Sequence, residues 1–296
     1  MKPAPFEYHQ PGTVGEATDL LADLGTDAEL MAGNQSLGII MSNRLATPDH
    51  IIDINGIDDI AGVDIDEDTI HVGAMTRHRT LEDHDDLRDA LAVLPEAAEQ
   101  IAGPSVRNRG TLGGSIGEAD PAGNYPAVLR ALDADIHVTS AESERTIPAE
   151  EYFIAYMFTE REEDELITGV SIDRDPFPPD RTGSVFLELK RAAQTFPTVG
   201  AAATVRVEDP TVETPVIEDV RVALSGVAGV PLRVPDAESN LVGSPAEDAA
   251  LDALGDALAE AADPESEQHA SEAFKREVAA EYARRAVSTA YDRARA

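Results

Sequence analysis

The sequence predicts an α+β protein in three parts, and three observations predict it. A helix with a capping signature near the N-terminus precedes short, uniformly apolar runs that read as strands. The middle of the chain mixes alternating strands with helical stretches and a hairpin pattern. The last third holds three long strand-like segments and then two helices.

Taken in order, Thr13 and Glu16 have capping-box spacing ahead of "ATDLLADLG", and Gly25 supplies a stop. The apolar strand "AELMAG" runs into "GNQSLG" and then "IIMSN", and "HIIDIN", from His50 to Asn55, reads as a second buried strand. The second part opens near Ile60. There "TIHVGAM" alternates like a half-buried strand, and "TLEDHDDLRDALAVLPEAAEQIA" is helical on both sides of Pro95. A glycine-rich segment follows, and "ADIHVTS" with "ERTIP" makes a hairpin. The proline- and charge-rich stretch "DRDPFPPDRTG" reads as a linker. Beyond Arg181, "SVFLELKRA", "TVGAAATVRVED" and "IEDVRVALSGV" predict a three-stranded antiparallel sheet. "SPAEDAALDALGDALAEAA" is then a helix, and in a final helix Phe274, Val278 and Tyr282 fall on one stripe.

Composition narrows the chemistry. At 296 residues and 42% hydrophobic content the chain can bury more than one core. No window reaches the apolar length of a membrane span and the N-terminus lacks a signal peptide's apolar core, so a cytoplasmic protein is expected. Cysteine is absent, which excludes disulfides, thiol nucleophiles and any iron–sulfur cluster held by this chain. The net charge is −34, from 57 acidic and 23 basic residues, and only Lys2, Lys190 and Lys275 are lysines. Such a surface repels nucleic acid and anionic lipid. The acid is spread along the chain rather than gathered in one tract, a pattern expected of a protein working in concentrated salt; a dedicated acidic docking face is the competing reading.

Few motifs carry catalysis. "GGSIG" fits the nucleophile-elbow pattern around Ser115, but "SVRNRGTL" upstream is poor strand material and Pro121 and Gly123 leave no room for a full helix after it. Only His137 and His269 follow in triad order. No metal-ligand spacing occurs, His78 and His84 could at most share a surface helix face, and both the Walker-type loop and G-x-G-x-x-G are missing. Two small-residue loops remain, "AGNQS" (32–36) and "TLGGS" (111–115). Successive backbone N–H groups in such turns form anion-binding concavities, and two of them could grip a diphosphate from opposite sides without lysines.

With those loops in view, the chain resembles the FAD-binding medium subunits of the molybdenum hydroxylases, the carbon monoxide dehydrogenase and xanthine dehydrogenase family. The resemblance runs through "FEYHQPGTVGEATDLL", "AGNQSLGIIM", "IIDING", "HVGAMTRHRTLE", "VRNRGTLGGSIGEADPAGNYPAV", "FLELKRAAQTFPTVGAAA", "VALSGVAGVPLRV" and "HASEAFKRE". It implies a two-lobed FAD-binding fold of the vanillyl-alcohol-oxidase type, with lobes at 1–58 and 59–176, and a C-terminal α+β domain at 181–296. Carried over by position, Ala32, Gly33, Asn34, Gln35, Ser36 and Leu37 form one FAD loop, and Thr111, Leu112, Gly113, Gly114 and Ser115 the other. Gly113 is there expected to leave space for the diphosphate. Asn124, Ile167, Lys190 and Phe196 match further contacts. Asn34 stands for a second glycine, Asn124 for an aspartate, and Phe196 lacks the usual hydroxyl. The resemblance further implies a large molybdopterin subunit and a small [2Fe–2S] subunit in an (αβγ)₂ assembly, with this chain passing electrons through FAD to an external acceptor and holding no catalytic residue or metal of its own. A stand-alone FAD oxidase and a Ser115 hydrolase are the alternatives from other classes.

Overall fold

The computed structural model describes residues 2–296. Its first layer is a three-stranded parallel sheet in which His50–Asp53 lies between Glu7–His9 and Ala28–Met31. Parallel neighbours need crossovers, and helix Val14–Leu24 supplies the first. Its N-terminus is held reciprocally: the Thr13 hydroxyl accepts from the Glu16 N–H at 3.2 Å, and the Glu16 carboxylate accepts from the Gly12 N–H at 2.7 Å. Gly25 ends it at φ 53°, a left-handed conformation in which a Cβ would be strained. Ala17 and Leu21 bury against Ile52 and Ile54. The run after "GNQSLG" is helical, Leu37–Ser42, and makes the second crossover.

The second layer is an antiparallel sheet ordered Val63–Ile65, Thr69–Gly73, Leu166–Asp173, Asp135–Thr139, Glu144–Pro148. The expected hairpin is present, Ile136 pairing with Ile147. Between its second and fourth strands the chain inserts six short helices, His78–Glu82, Asp85–Ala90, Val93–Glu99, Pro104–Arg107, Leu112–Glu118 and Asn124–Ala131. The segment is helical on both sides of Pro95, as expected, and Pro95 itself breaks no helix. It occupies the first turn of Val93–Glu99, where its missing N–H would find no intrahelical acceptor. The breaks fall instead at Asp83–His84 and Leu91–Ala92. Nor does the second glycine loop exclude a helix, because Ser115 lies within Leu112–Glu118. A two-stranded ribbon, Phe153–Ala155 with Phe158–Thr159, was not foreseen.

The third layer is antiparallel and gains a fourth strand: Thr182–Leu189, Val199–Val207, Ile217–Ser225 and the two-residue Leu232–Arg233. Two residues carry too little pattern to be read from sequence. Helices Asp248–Ala261 and Glu272–Ala294 cover one face. The buried stripe of the final helix holds only part of the expected one, Val278 in the core and Tyr282 packed at its edge. Phe274 is 42% exposed, while Val278, Ala279, Ala283, Ala286, Val287, Ala290 and Ala294 face the sheet. Alanine allows the two backbones to meet: a Cβ on Gly183 would lie 2.0 Å from the Ala290 carbonyl oxygen. The other face of this sheet joins the core of the second layer through Phe186, Ala202 and Ala223. The proline-rich segment before it is no loose tether, since Phe177 is buried there with the Arg221 guanidinium 4.8 Å above its ring. Among the described residues no helix is long and apolar enough to cross a membrane.

Candidate functional site

The first glycine loop leaves strand Ala28–Met31 and enters helix Leu37–Ser42. At its turn Asn34 adopts φ 57°, a left-handed conformation that asparagine tolerates better than most residues. The main-chain N–H groups of residues 33 to 38 donate to no acceptor among the described residues. Six successive unpaired donors, running from the loop into the first turn of that helix, make an anion-binding surface. The carbonyls behind them are tied down: the Gln35 amide donates to the Gly33 oxygen at 2.8 Å and the Asn55 amide to the Ala32 oxygen at 2.6 Å. Arg77 donates to the Asn55 side chain at 2.6 Å and to the Arg109 carbonyl. Asp53 completes this support, accepting from Tyr8 and from the Asn55 N–H. Burial acts against its charge, yet those bonds and Arg109 hold its carboxyl below the usual range.

The second loop lies against the first. A Cβ on Gly33 would sit 2.3 Å from the Arg109 oxygen and 2.6 Å from Gly110 Cα, so the loops touch backbone to backbone. A Cβ on Gly114 would come within 3.6 Å of the Ala32 methyl. Burial raises the Glu118 carboxyl above its ordinary value, a hydrogen bond from Ser36 opposes this, and Asp120 adds to it.

The loops are nevertheless built differently. In the second, Leu112 N–H donates to the Thr76 oxygen at 3.0 Å, Gly113 to Ala74 at 2.8 Å, Gly114 to the Thr111 hydroxyl at 3.1 Å and Ser115 to the Thr111 oxygen at 3.1 Å. The first two amides dock the helix past the end of strand Thr69–Gly73, the other two close its own N-terminus on Thr111, and none is free for a ligand. Gly113 has a corresponding reason that differs from the expected one: its Cβ would strike the Ala74 Cβ at 2.6 Å and the Ala74 oxygen at 2.9 Å, not an open space. What the second loop turns outward is the half-buried Ser115, whose hydroxyl bonds no protein group among the described residues.

Of the remaining site residues, Ile167 packs against helix Leu112–Glu118, its Cδ1 lying 3.4 Å from where a Gly117 Cβ would be. Asn124 is buried and donates to the Ala97 oxygen at 3.0 Å. Burial raises the Glu188 carboxyl against the pull of Lys190. Lys190 pairs with Glu188 and donates to the Gln100 carbonyl, so Asn124 and Lys190 both bond carbonyls of the segment 97–100. Phe196 stands apart, 56% exposed between strands Thr182–Leu189 and Val199–Val207. Sequence reasoning missed Asn55, Arg77 and Glu118, whose roles exist only through contacts distant in sequence.

His78 is neither exposed nor on a helix with His84. It is buried against the Tyr125 hydroxyl at 3.0 Å, while His84 caps helix Asp85–Ala90. Ser115 has no partner for nucleophilic chemistry. Both His137 nitrogens are engaged, with Ser171 at 2.8 Å and Thr146 at 3.2 Å, and His269 is exposed. The preceding element is the helix Pro104–Arg107, not the strand an elbow requires.

Residues 4–174 match the family described as the FAD binding domain in molybdopterin dehydrogenase, and residues 184–290 match the CO dehydrogenase flavoprotein C-terminal domain. The chain belongs to this family. It is an FAD-binding oxidoreductase subunit of the molybdenum hydroxylase group. The carbon monoxide dehydrogenase medium chain of Hydrogenophaga pseudoflava is 35% identical, with 99% of each chain covered. The 6-hydroxypseudooxynicotine dehydrogenase complex subunit alpha of Paenarthrobacter nicotinovorans is 34% identical, covering 100% of this chain and 97% of the relative. The solved structure of carbon monoxide dehydrogenase from Hydrogenophaga pseudoflava lacking the Mo-pyranopterin moiety of its cofactor aligns with a TM-score of 0.93 at 35% identity, covering 99% of both chains. The residues present fit FAD: its diphosphate requires a concentrated set of donors close to the backbone, and the first loop of this family member provides one without a cation.

Proposed function

We propose that this chain is the electron outlet of a molybdenum hydroxylase complex. Its partners are a large molybdopterin subunit that oxidises the substrate and a small [2Fe–2S] subunit, in an (αβγ)₂ assembly in a cytoplasm rich in salt. Bound FAD supplies the redox chemistry, accepting electrons from the partner's clusters and delivering them to an external acceptor. The absence of cysteine agrees with clusters held on another chain, and the relatives' differing substrates agree with substrate choice lying elsewhere.

The observation that carries this reading is the row of unpaired amides from 33 to 38, which begins where Gly33 packs against the Arg109–Gly110 backbone. In it the main chain of 32–37 binds the diphosphate, Thr111, Leu112, Gly113 and Gly114 set the depth of the groove, and Ser115 adds one hydroxyl. Asn124, Ile167, Lys190 and Phe196 are the contacts toward the rest of the nucleotide and the ring. The three sheets support a division into lobes 1–58 and 59–176 and a domain 181–296.

The test mixes the purified yellow chain with its two partner subunits and follows the flavin absorbance after substrate addition. Bleaching only when all three chains are present is expected. Bleaching by substrate with this chain alone would instead indicate a self-sufficient oxidase. Ser115→Ala should weaken FAD binding by about 1 kcal/mol, one neutral hydrogen bond, with fluorescence titration as the measurement. An unchanged affinity would remove Ser115 from the site.

A further inference from the structure

We propose that Glu7, His9 and His50 form a site for a divalent transition metal, zinc being the ion tested. The inference is independent of the FAD reading. The parallel pairing of Glu7–His9 with His50–Asp53 sets Glu7 beside His50, and the two-residue strand period returns His9 to the same face. On that face the His9 Nε2 and His50 Nδ1 lie 3.1 Å apart, and a Glu7 carboxylate oxygen lies 3.6 Å from the same His50 nitrogen. All three ligand atoms lie within 4.8 Å of one another.

Those separations are the ones a metal asks for. With Zn–N and Zn–O bonds of about 2.0–2.2 Å, neighbouring ligand atoms of a tetrahedron stand roughly 3.3–3.5 Å apart. The observed 3.1 and 3.6 Å bracket that value. Without a metal, His50 Nδ1 must donate a proton toward His9 Nε2 or the Glu7 carboxylate, because its single in-plane position cannot serve as acceptor and face the anion together. One cation at the centre satisfies all three lone pairs together. Two neutral imidazoles and one carboxylate are a donor set for zinc and its neighbours rather than for magnesium or calcium, which prefer oxygen alone. Three protein ligands leave the fourth position to water. Bound metal would fasten the N-terminal strand to the strand that continues into Asn55, the residue holding the Ala32 carbonyl of the first loop.

The full chain, loaded with FAD, is titrated with zinc against a chromophoric chelator, with excess magnesium present to occupy the acidic surface. One zinc per chain is expected. The affinity should fall in the His9→Gln/His50→Gln double variant by more than the roughly 10–100-fold that losing a mere supporting partner costs. Zinc should also raise the melting temperature of the wild type and not of the double variant. Equal uptake by both proteins, or no uptake by the wild type, overturns the proposal. Should the double variant misfold, cobalt substitution of the wild type decides: intense visible bands of a four- or five-coordinate ion support the site, and their absence overturns it.

Discussion

At Gly33 the whole site depends on a missing Cβ. An added methyl would meet backbone on the far side, the Arg109 oxygen at 2.3 Å, which cannot rotate away. Gly33→Ala should therefore separate the loops, at the ~1–3 kcal/mol typical of overpacking, and weaken FAD binding by roughly tenfold or more. Flavin content after gel filtration measures this, and retention equal to wild type would show that the loops need not touch. A second residue-scale consequence concerns pH. Burial, then Arg77 and Arg107, lowers the His78 pKa to about 4 from 6.5. Between those values the unfolded chain holds a proton that the folded chain excludes, so stability is complete above pH 6.5 and falls on acidification toward about 4. The span corresponds to up to about 3 kcal/mol. His78→Gln, which keeps a partner for Tyr125, should flatten that part of the profile in urea unfolding. An unchanged slope would mean that His78 protonates without cost in the folded state.

Among elements, the support behind the first loop shows how a site is assembled from distant pieces. Arg77 joins Asn55 to the Arg109 carbonyl, and Asn55 in turn holds the Ala32 carbonyl. Removing Arg77 frees both loops at once. With charged hydrogen bonds contributing about 1.5–3 kcal/mol each, Arg77→Ala should raise the Kd for FAD roughly 10- to 100-fold; a fluorescence titration giving the wild-type value would mean the loops are held by their glycine contact alone. None of this network was legible in the sequence, since Arg77, Asn55 and Arg109 carry no periodicity and meet only through the fold. Local features were legible. The capped helix from Val14, the strand His50–Asp53 and the hairpin Asp135–Pro148 follow from side-chain patterns within a few residues. The two loops could be singled out for their small residues, but not the way the second spends its amides on Ala74 and Thr76. The final helix was legible at Val278 but not beyond it for a physical reason: most of its buried face is alanine, which allows close approach to the sheet, and a hydropathy pattern gives more weight to the exposed Phe274. The His9–His50 pair stayed hidden because 41 residues separate its members.

For the whole molecule, charge is the dominant unbalanced quantity. Fifty-seven acids against 23 bases leave 34 uncompensated negative charges on a 31.5 kDa chain. Ion pairs such as Arg107–Glu82 and Arg233–Glu238 use arginines in bidentate geometry, and both lie largely out of solvent, where salt screens them little. The excess acid is exposed, and its mutual repulsion is what salt removes. The Debye length falls from about 10 Å at 0.1 M to about 3 Å at 1 M, shorter than the spacing of most surface charges. Added potassium chloride should thus stabilise the protein, with most of the gain complete by about 1 M, because repulsion in the compact state exceeds that in the expanded chain. Urea unfolding at graded salt measures it: the midpoint should climb steeply and then level. A midpoint that falls with salt would show that exposed ion pairs outweigh the repulsion. A rise that continues linearly to saturation would point to strengthened apolar burial, and would remove charge from the explanation of this protein's acidic composition.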